Sequence, residues 1–396
     1  MKTIAVIFGG RSAEHDVSIV TAIASIIRPL ELTRKYRVEA VYIAKNGAWF
    51  WDDKLKDIKL FSSGEIERFT ARTQPASVQF GGGMTLSKAS GLAGRKQHKQ
   101  IDIVFPAMHG TYGEDGALMG LLDMAGVPYA GCGMDAGVLT MNKVLAKQVA
   151  AAHGVPVSKF LAFTGDQLEH NPASAVKQIT KELKYPLFVK PAHLGSSIGI
   201  SRVKDDTELR NGLEVAAKYD DAIIVEEGVN NLIEVTLPVL GNHELTPAYL
   251  EQPLTTAEDF FDFDTKYMKG GKGGKKMGAA GGKMSGADNS AQGYSTIPAK
   301  LPGDLYEKAE QTGLSVYRAL NCAGTARVDM LIDSKTGKVY FNEVNPLPGS
   351  LYAHNWAKKG ISNVELVTRL VELAEARFRE RQSLNTVFST NFLKQF

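Results

Sequence analysis

Short apolar runs recur along the first third of the chain, separated by segments with helical spacing. TIAVIFGG reads as a buried strand, Ser12 to Leu30 as a helix, VEAVYIAK as a second strand and IDIVFPAMHG as a third. Helical spacing returns at Ala117 to Ala125, and VPYAG is a short strand. Continuous apolar runs mean strands covered on both faces. Their alternation with helices predicts an open, mostly parallel α/β sheet over residues 1–135. Ligands of such sheets gather beyond the carboxyl ends of the strands, where FGGRSAEHD, PAMHGTYGEDG and YAGCG lie.

The pattern changes near Asp135. A helix from Met141 to His153 leads into VPVSKFLAF, a long helical stretch, then YPLFVKPAHLGSSIGISRV and a strand within Ala222 to Val229. Strand–turn–strand units with a helix predict an α+β unit over residues 136–241. A second α+β unit, 242–396, contains a hairpin: VDMLID (Val328 to Asp333), the turn Ser334 to Gly337, and KVYFNEVN (Lys338 to Asn345). It closes with a helix from Asn363 to about Arg381. Met268 to Gly293 is rich in glycine and lysine, holds almost no large apolar side chain and is expected to be mobile.

Composition adds bounds. A chain of 396 residues needs two or three cores. Its 44% hydrophobic and 22% charged content is ordinary for a soluble protein, and a net charge of +3 gives no polyanion-binding balance. The Gly/Lys segment lacks interleaved aromatics for base stacking, so a nucleic-acid interface is not expected. The apolar run in MKTIAVIFGG is too short for a signal peptide or a membrane span, so no membrane partner is expected. Two cysteines, Cys132 and Cys322, suggest neither a disulfide framework nor a zinc site and fit a cytoplasmic location.

The chemistry concentrates in the hairpin. Arg327, Asp329, Glu343 and Asn345 sit at the ends of its two strands, where Asp329 and Glu343 approach across the ladder. Such oxygen ligands suit Mg²⁺ shared with substrate phosphates, and the arginine suits a transferring phosphoryl group. A hairpin with solvated charges is the plainer alternative. Lys190 ends the strand PLFVK before the loop HLGSSIG, whose amides can cradle phosphate, and Lys143 is a second phosphate candidate. Glu226, Glu227 and Glu234 follow a buried strand, where an EEG connector can meet an adenine edge and Glu234 a ribose. HGTYGEDG, from His109, is placed to face substrate. Glu14 is either a helix-end acid or a carboxylate for a substrate ammonium.

In order along nearly the whole chain, HGTYGEDG, VKPAHLGSSIG, FDFDTKY, ARVDMLID and NEVNPLPG resemble motifs of the D-alanine–D-alanine ligase family of the ATP-grasp superfamily. The resemblance implies an N-terminal α/β substrate domain followed by a two-subdomain α+β ATP-grasp fold with ATP between the subdomains. It implies phosphate contacts from Lys143 and Lys190, with Lys266 reaching the γ-phosphate. The adenine hinge would be Glu226 or Glu227 with Gly228 and Val229, the seven-residue step to Glu234 favouring Glu227; Glu234 would hold the ribose. Asp329, Glu343 and Asn345 would carry two Mg²⁺ ions, with Mn²⁺ an alternative. Arg327 and the Gly349 amide would stabilise the oxyanion. Glu14 would take the ammonium of the first D-alanine, with His109 nearby, and Ser196 and Tyr267 would link Glu14 to a closing loop. The family is commonly dimeric and serves peptidoglycan precursor synthesis. Two departures stand out. The closing loop is lengthened by Met268 to Gly293, as a tolerated insertion or an electrostatic lid. The stretch LPGSLYAHNWAKKGIS is shorter than the family pattern, which makes Leu351, Tyr352, His354 and Asn355 candidates to line an altered second amino-acid pocket.

Overall fold

The first strand, β1 (Lys2–Gly9), is buried at every residue after Lys2, as a strand covered on both faces must be. The structure, a computed structural model, describes residues 1–90, 95–195, 197–253, 295–385 and 389–396. After β1 comes one helical run: α1 (His15–Val20), a π-helical stretch (Thr21–Ile27) and α2 (Arg28–Leu32). Ile19, Ala22, Ile23, Ile26, Ile27 and Leu30 hold that run against the sheet at helical spacing. β2 (Tyr36–Ile43) pairs parallel with β1, and β3 (Trp49–Trp51) caps the edge antiparallel. Helices α3 (Ile58–Ser62) and α4 (Glu65–Arg72) lead to β4 (Ser77–Phe80), β5 (Met84–Ser90) and β6 (Arg95–Ile101), a separate antiparallel sheet. β7 (Ile103–Pro106) then returns parallel to β1 on its other side, followed by α5 (Ala117–Met124).

The order β3-β2-β1-β7 puts the direction change between β1 and β7. The loops after these two strands, GGRSAEHD and AMHGTYGEDG, therefore open onto one crevice. The expected strand VPYAG is reduced to a single parallel bridge between Tyr129 and Val104.

Helices α6 (Met134–Met141) and α7 (Lys143–Ala152) lead to a second sheet. It is built from β8 (Phe160–Thr164), α8 (Gly165–His170), α9 (Pro172–Glu182), β9 (Leu187–Pro191), β10 (Ser201–Val203), α10 (Asp206–Ala217) and β11 (Ala222–Glu227). The strands run antiparallel in the order β10-β9-β11-β8, and Ile179, Leu187, Val189, Leu209, Ile223 and Val225 fill the space under the helices.

The third sheet has the order β13-β12-β16-β17. Its chain order is β12 (Leu232–Leu240), β13 (Thr246–Pro247), the ribbon β14 (Gln252–Pro253) and β15 (Ser295–Thr296), α11 (Leu305–Ala319), β16 (Thr325–Asp333) and β17 (Lys338–Asn345). Although β12 falls in the 136–241 stretch, all nine of its residues pair with β16, so the sheets part between Glu227 and Leu232. Helices α12 (Ala353–Lys358) and α13 (Asn363–Gln382) end the fold. Leu366, Val367, Leu370 and Val371 of α13 join the same core as Ile27 and Leu30, tying the last helix to the first domain. No helix of the described residues is long and apolar enough to cross a membrane.

Candidate active site

The hairpin positions its polar groups by strand period. Along β16, Ala326, Val328, Met330 and Ile332 are buried, and Arg327, Asp329 and Leu331 point the other way, into the cleft. Pairing sets Asp329 opposite Glu343 and Arg327 opposite Asn345. Beyond Asp329 the register slips, so that Met330 faces Phe341 and Asn342 is the extra residue. Arg327 donates in a fork to Asp329, Nε to Oδ1 at 2.7 Å and Nη2 to Oδ2 at 2.5 Å. The Tyr352 ring lies 5.3 Å from the guanidinium carbon. Burial pushes the Asp329 carboxyl above the ordinary carboxylate range, Arg327 opposing and Glu343 adding to the rise. Burial also pushes Glu343 upward, but Lys143, Lys190 and Arg327 outweigh it and leave that carboxyl below the ordinary range.

Asp329, Glu343 and Asn345 line one cavity of about 340 Å³. Two carboxylates and an amide oxygen are hard donors, and a divalent cation between them would offset the repulsion that Glu343 exerts on Asp329. The residues fit Mg²⁺.

Two lysines from different elements stand nearby, Lys143 in the lining of this cavity and Lys190 outside it. Asn142 caps α7 by accepting from the amides of Val144 and Leu145 at 3.0 Å each, which fixes Lys143 at the first helical position. Lys143 Nζ donates to the Leu194 carbonyl at 2.5 Å and lies 3.7 Å from Glu343 Oε2. Lys190, on β9, lies 3.4 Å from Glu226 Oε2. Lys143, Leu194, Gly195, Ser197 and Glu343 border both the first cavity and a second one. The two therefore meet at the Lys143–Glu343 pair.

That second cavity has apolar walls from Phe188, Ile200, Val229, Leu232 and Leu331, and its polar lining includes Glu226, Glu227 and Glu234. The two adjacent glutamates do different things. Glu227 turns outward, its Oε1 accepting from the Lys184 amide at 3.0 Å. Glu226 turns inward and is buried, with Oε1 unpartnered among the described residues. Beneath it lies Lys147, fully buried on α7, a residue the sequence reading passed over. Burial pushes Lys147 below the ordinary lysine range, with Glu226 opposing. Burial pushes Glu226 up, but Lys147, Lys190 and Ser158 leave it below the ordinary carboxylate range. A signal for Lys147 existed: it shares the inward stripe of α7 with Lys143, Ala146 and Ala150.

The crevice between β1 and β7 supplies the third wall. Glu14 precedes α1, and Glu14, His109 and Glu114 line the first cavity. Gly110 has φ +69°, and a Cβ there would lie 2.9 Å from Glu14 Oε2 and overlap the Ser12 hydroxyl, so this turn requires glycine. The Gly195 loop also approaches Glu14: a Cβ at Gly195 would sit 3.4 Å from Oε2. Glu114 is a second residue missed in the sequence. Its Oε2 accepts from the Gly110 amide at 2.6 Å and its Oε1 from the Leu347 amide at 3.3 Å, joining the glycine-rich loop to NPLPGS. Thr21 makes a parallel link, its Oγ1 lying 3.0 Å from His109 Nε2 and accepting from the Ser350 amide at 3.1 Å.

Gly349 lines the cavity, and the next three residues, Ser350, Leu351 and Tyr352, all take left-handed φ values of 51° to 54°. Such a run costs roughly 1–2 kcal/mol per residue, offset here by contacts. Leu351 is fully buried in the first core, and Tyr352 packs beside Arg327. His354 Nε2 lies 2.9 Å from Glu251 Oε2. Asn355 is fully buried, bonding the backbone of Tyr249 at 3.1 Å and 2.9 Å. Leu351 and Asn355 are thus packing and bracing groups, not residues of the cavity wall. Ser196, Lys266, Tyr267 and the Gly/Lys segment 268–293 lie outside the described residues.

Comparison with known proteins gives a consistent result. The family model D-ala D-ala ligase N-terminus matches residues 3–132, and D-ala D-ala ligase C-terminus matches 149–372. The chain is 34% identical over 395 residues to a D-alanine–D-alanine ligase of Acetivibrio thermocellus, covering 96% of this chain and 97% of that one. It is 36% identical over 383 residues to one of Chlorobium phaeovibrioides, covering 94% and 96%. Among solved structures, the D-alanine-D-alanine ligase of Coxiella burnetii superposes with a TM-score of 0.75 at 26% identity, covering 96% of each chain. The VanG D-Ala:D-Ser ligase of Enterococcus faecalis gives 0.74 at 29%, covering 94% and 99%.

Proposed function

The chain belongs to the D-alanine–D-alanine ligase family, and from that premise we propose that it joins D-alanine to a second D-alanine with ATP, through an acyl phosphate. The observation that carries this reading is the meeting of two cavities at Lys143 and Glu343, one apolar-walled and one lined by the hairpin and Glu14. A base fits the apolar-walled cavity, an amino acid the one lined by the hairpin and Glu14, and the phosphates the junction.

The base lies between Phe188, Ile200 and Leu331, with the Gly228 and Val229 backbone at its edge and Glu234 toward the ribose. Lys143, Lys190 and Lys266 hold the phosphates. Asp329, Glu343 and Asn345 hold two Mg²⁺ ions, which supply charge neutralisation at the phosphoryl group. Glu14 takes the ammonium of the first D-alanine. The carboxylate of that D-alanine attacks the γ-phosphorus and the bond to the β-phosphate oxygen breaks, giving the acyl phosphate and ADP. The amine of the second D-alanine attacks the acyl carbon, and phosphate leaves. Arg327 and the Gly349 amide face the oxyanion of that second step. In this reading Ser196 and Tyr267, which lie outside the described residues, link Glu14 to a closing loop whose purpose is to keep water from the acyl phosphate. The enzyme works in the cytoplasm on peptidoglycan precursors, as a homodimer.

A second reading concerns the nucleophile. Three left-handed residues after Gly349 and the Tyr352 ring beside Arg327 put an unusual backbone where the second amino acid would enter. A structural neighbour is a D-Ala:D-Ser ligase. Another amino acid or hydroxy acid in the second position is therefore the alternative. Phosphate release with ATP and Mg²⁺ across D- and L-amino acids, with products identified by mass, tests both. D-alanyl-D-alanine from D-alanine alone is expected. A mixed product only would favour the alternative, and silence with every substrate would overturn ligation.

A further inference from the structure

Glu226 is held asymmetrically. Three donors converge on Oε2: Ser158 Oγ at 3.2 Å, Lys190 Nζ at 3.4 Å and Lys147 Nζ at 3.5 Å. Oε1, equally buried, has no partner among the described residues, and the residue borders the apolar-walled cavity. A buried carboxylate oxygen without a donor is costly unless a ligand supplies one.

Of the three donors, only Lys147 joins both sheets from inside. Its ammonium is fully buried and lies 3.2 Å from both Ser158 Oγ and the Phe341 carbonyl. Phe341 is on β17 of the third sheet, and Glu226 is on β11 of the second. The stretch between α7 and β8 runs alongside, with the Phe341 amide donating to the Pro156 carbonyl at 2.9 Å and a parallel bridge from Val157. Lys190 is less committed. It lines the cavity, beside the junction assigned to the phosphates, whereas Lys147 lines neither cavity.

We propose that Lys147 is a positioning residue for nucleotide selection. It keeps Glu226 charged and pinned by Oε2, so that Oε1 accepts from a purine carrying a 6-amino group and rejects a 6-oxo purine, which offers a lone pair there. The inference rests on the reading of the apolar-walled cavity as the base site. It adds a residue that touches neither base nor phosphate.

The test compares ATP, purine riboside triphosphate (which lacks the 6-amino group) and GTP, by direct binding and by steady-state kinetics, in wild type and Lys147→Met. Wild type is expected to prefer ATP by about 10- to 100-fold, the worth of a hydrogen bond to a charged acceptor. In Lys147→Met the preference falls to within about threefold and KM for ATP rises about tenfold. Turnover at saturating ATP changes by less than about threefold, a split that a general loss of packing would not produce. Wild-type protein that binds the three nucleotides alike removes the base-site reading, and the inference with it. Wild-type selectivity that persists in Lys147→Met overturns the inference alone. Should that variant not fold, Glu226→Gln is compared with Glu226→Gln/Lys147→Met, which leaves no buried charge unpaired between the two positions. Equal selectivity in both supports a role exerted through Glu226, and a further loss in the double variant overturns it.

Discussion

Two parts of the cleft carry buried charge and are built in opposite ways. The hairpin end places Arg327, Asp329, Glu343 and Asn345 on two strands adjacent in sequence, and one register fixes them all. The floor under Glu226 draws Lys147, Ser158, Lys190 and the Phe341 carbonyl from four separate segments. In the hairpin, like charges face each other across the ladder, and Glu343 pushes the Asp329 carboxyl up. In the floor, opposite charges neutralise each other and hold two sheets together. The first arrangement leaves two carboxylates facing each other at the cavity; the second is a brace whose charges need one another to be buried at all.

That contrast is open to attack. The largest effect is expected at the hairpin: Glu343→Gln should lower ligase turnover by about a thousandfold, the scale of removing a principal electrostatic group. Its melting temperature should fall by no more than a few degrees, because the attraction of Lys143, Lys190 and Arg327 is lost while the repulsion on Asp329 is relieved. Phosphate release beside a thermal melt checks both, and a fully active variant would remove the metal assignment. Glu226→Ala should behave in the reverse manner, losing about 3–5 kcal/mol of stability because Lys147 is left buried without its counter-ion. Denaturant titration reads this, and wild-type stability would show that the floor is not a brace.

The smallest effect concerns the approach to α7. His193 Nδ1 lies 2.9 Å from Asp220 Oδ1, and its Nε2 lies 2.9 Å from Asn142 Nδ2, on the cap that positions Lys143. The bond to Asp220 raises His193 above the ordinary imidazole value of 6.5. Burial pushes Asp220 up, but bonds to His193 bring it down to about 2. Since the folded His193 value is raised, its stabilisation is complete below the unfolded value and is lost as pH rises through the folded one. Wild type should therefore melt about 1–2 °C above His193→Ala near pH 5.5, a partly exposed pair being worth little, and the gap should close in alkaline buffer. A gap that is constant with pH would remove the ionic contribution.

Much of the fold is local in origin and legible in the sequence. Continuous apolar runs announced β1, β2 and β7, and the 3.6-residue spacing announced the helices before and after them. The hairpin was legible for the same reason, since a four-residue turn and a period of two determine which side chains meet. The β4–β6 sheet was not, because its outer strand SVQF is mostly exposed and carries little apolar pattern. Nor was the membership of β12, which reads as a strand in any context and joins the third sheet only because β16 lies beside it.

The site divides along the same line. Sequence alone determined which residues carry oxygen donors, lysines and glycine-rich loops, and it put them at strand ends. Only the tertiary structure decided that Glu226 turns inward and Glu227 outward, that Glu114 and Thr21 tie the glycine-rich loop to NPLPGS, and that Leu351 and Asn355 are buried braces. Above all it decided that Lys147, on the inward stripe of α7, is a counter-ion. The physical reason is that a buried charge takes its meaning from its partners. Ser158, Phe341 and Glu226 stand 11, 194 and 79 residues from Lys147, beyond the reach of any local pattern.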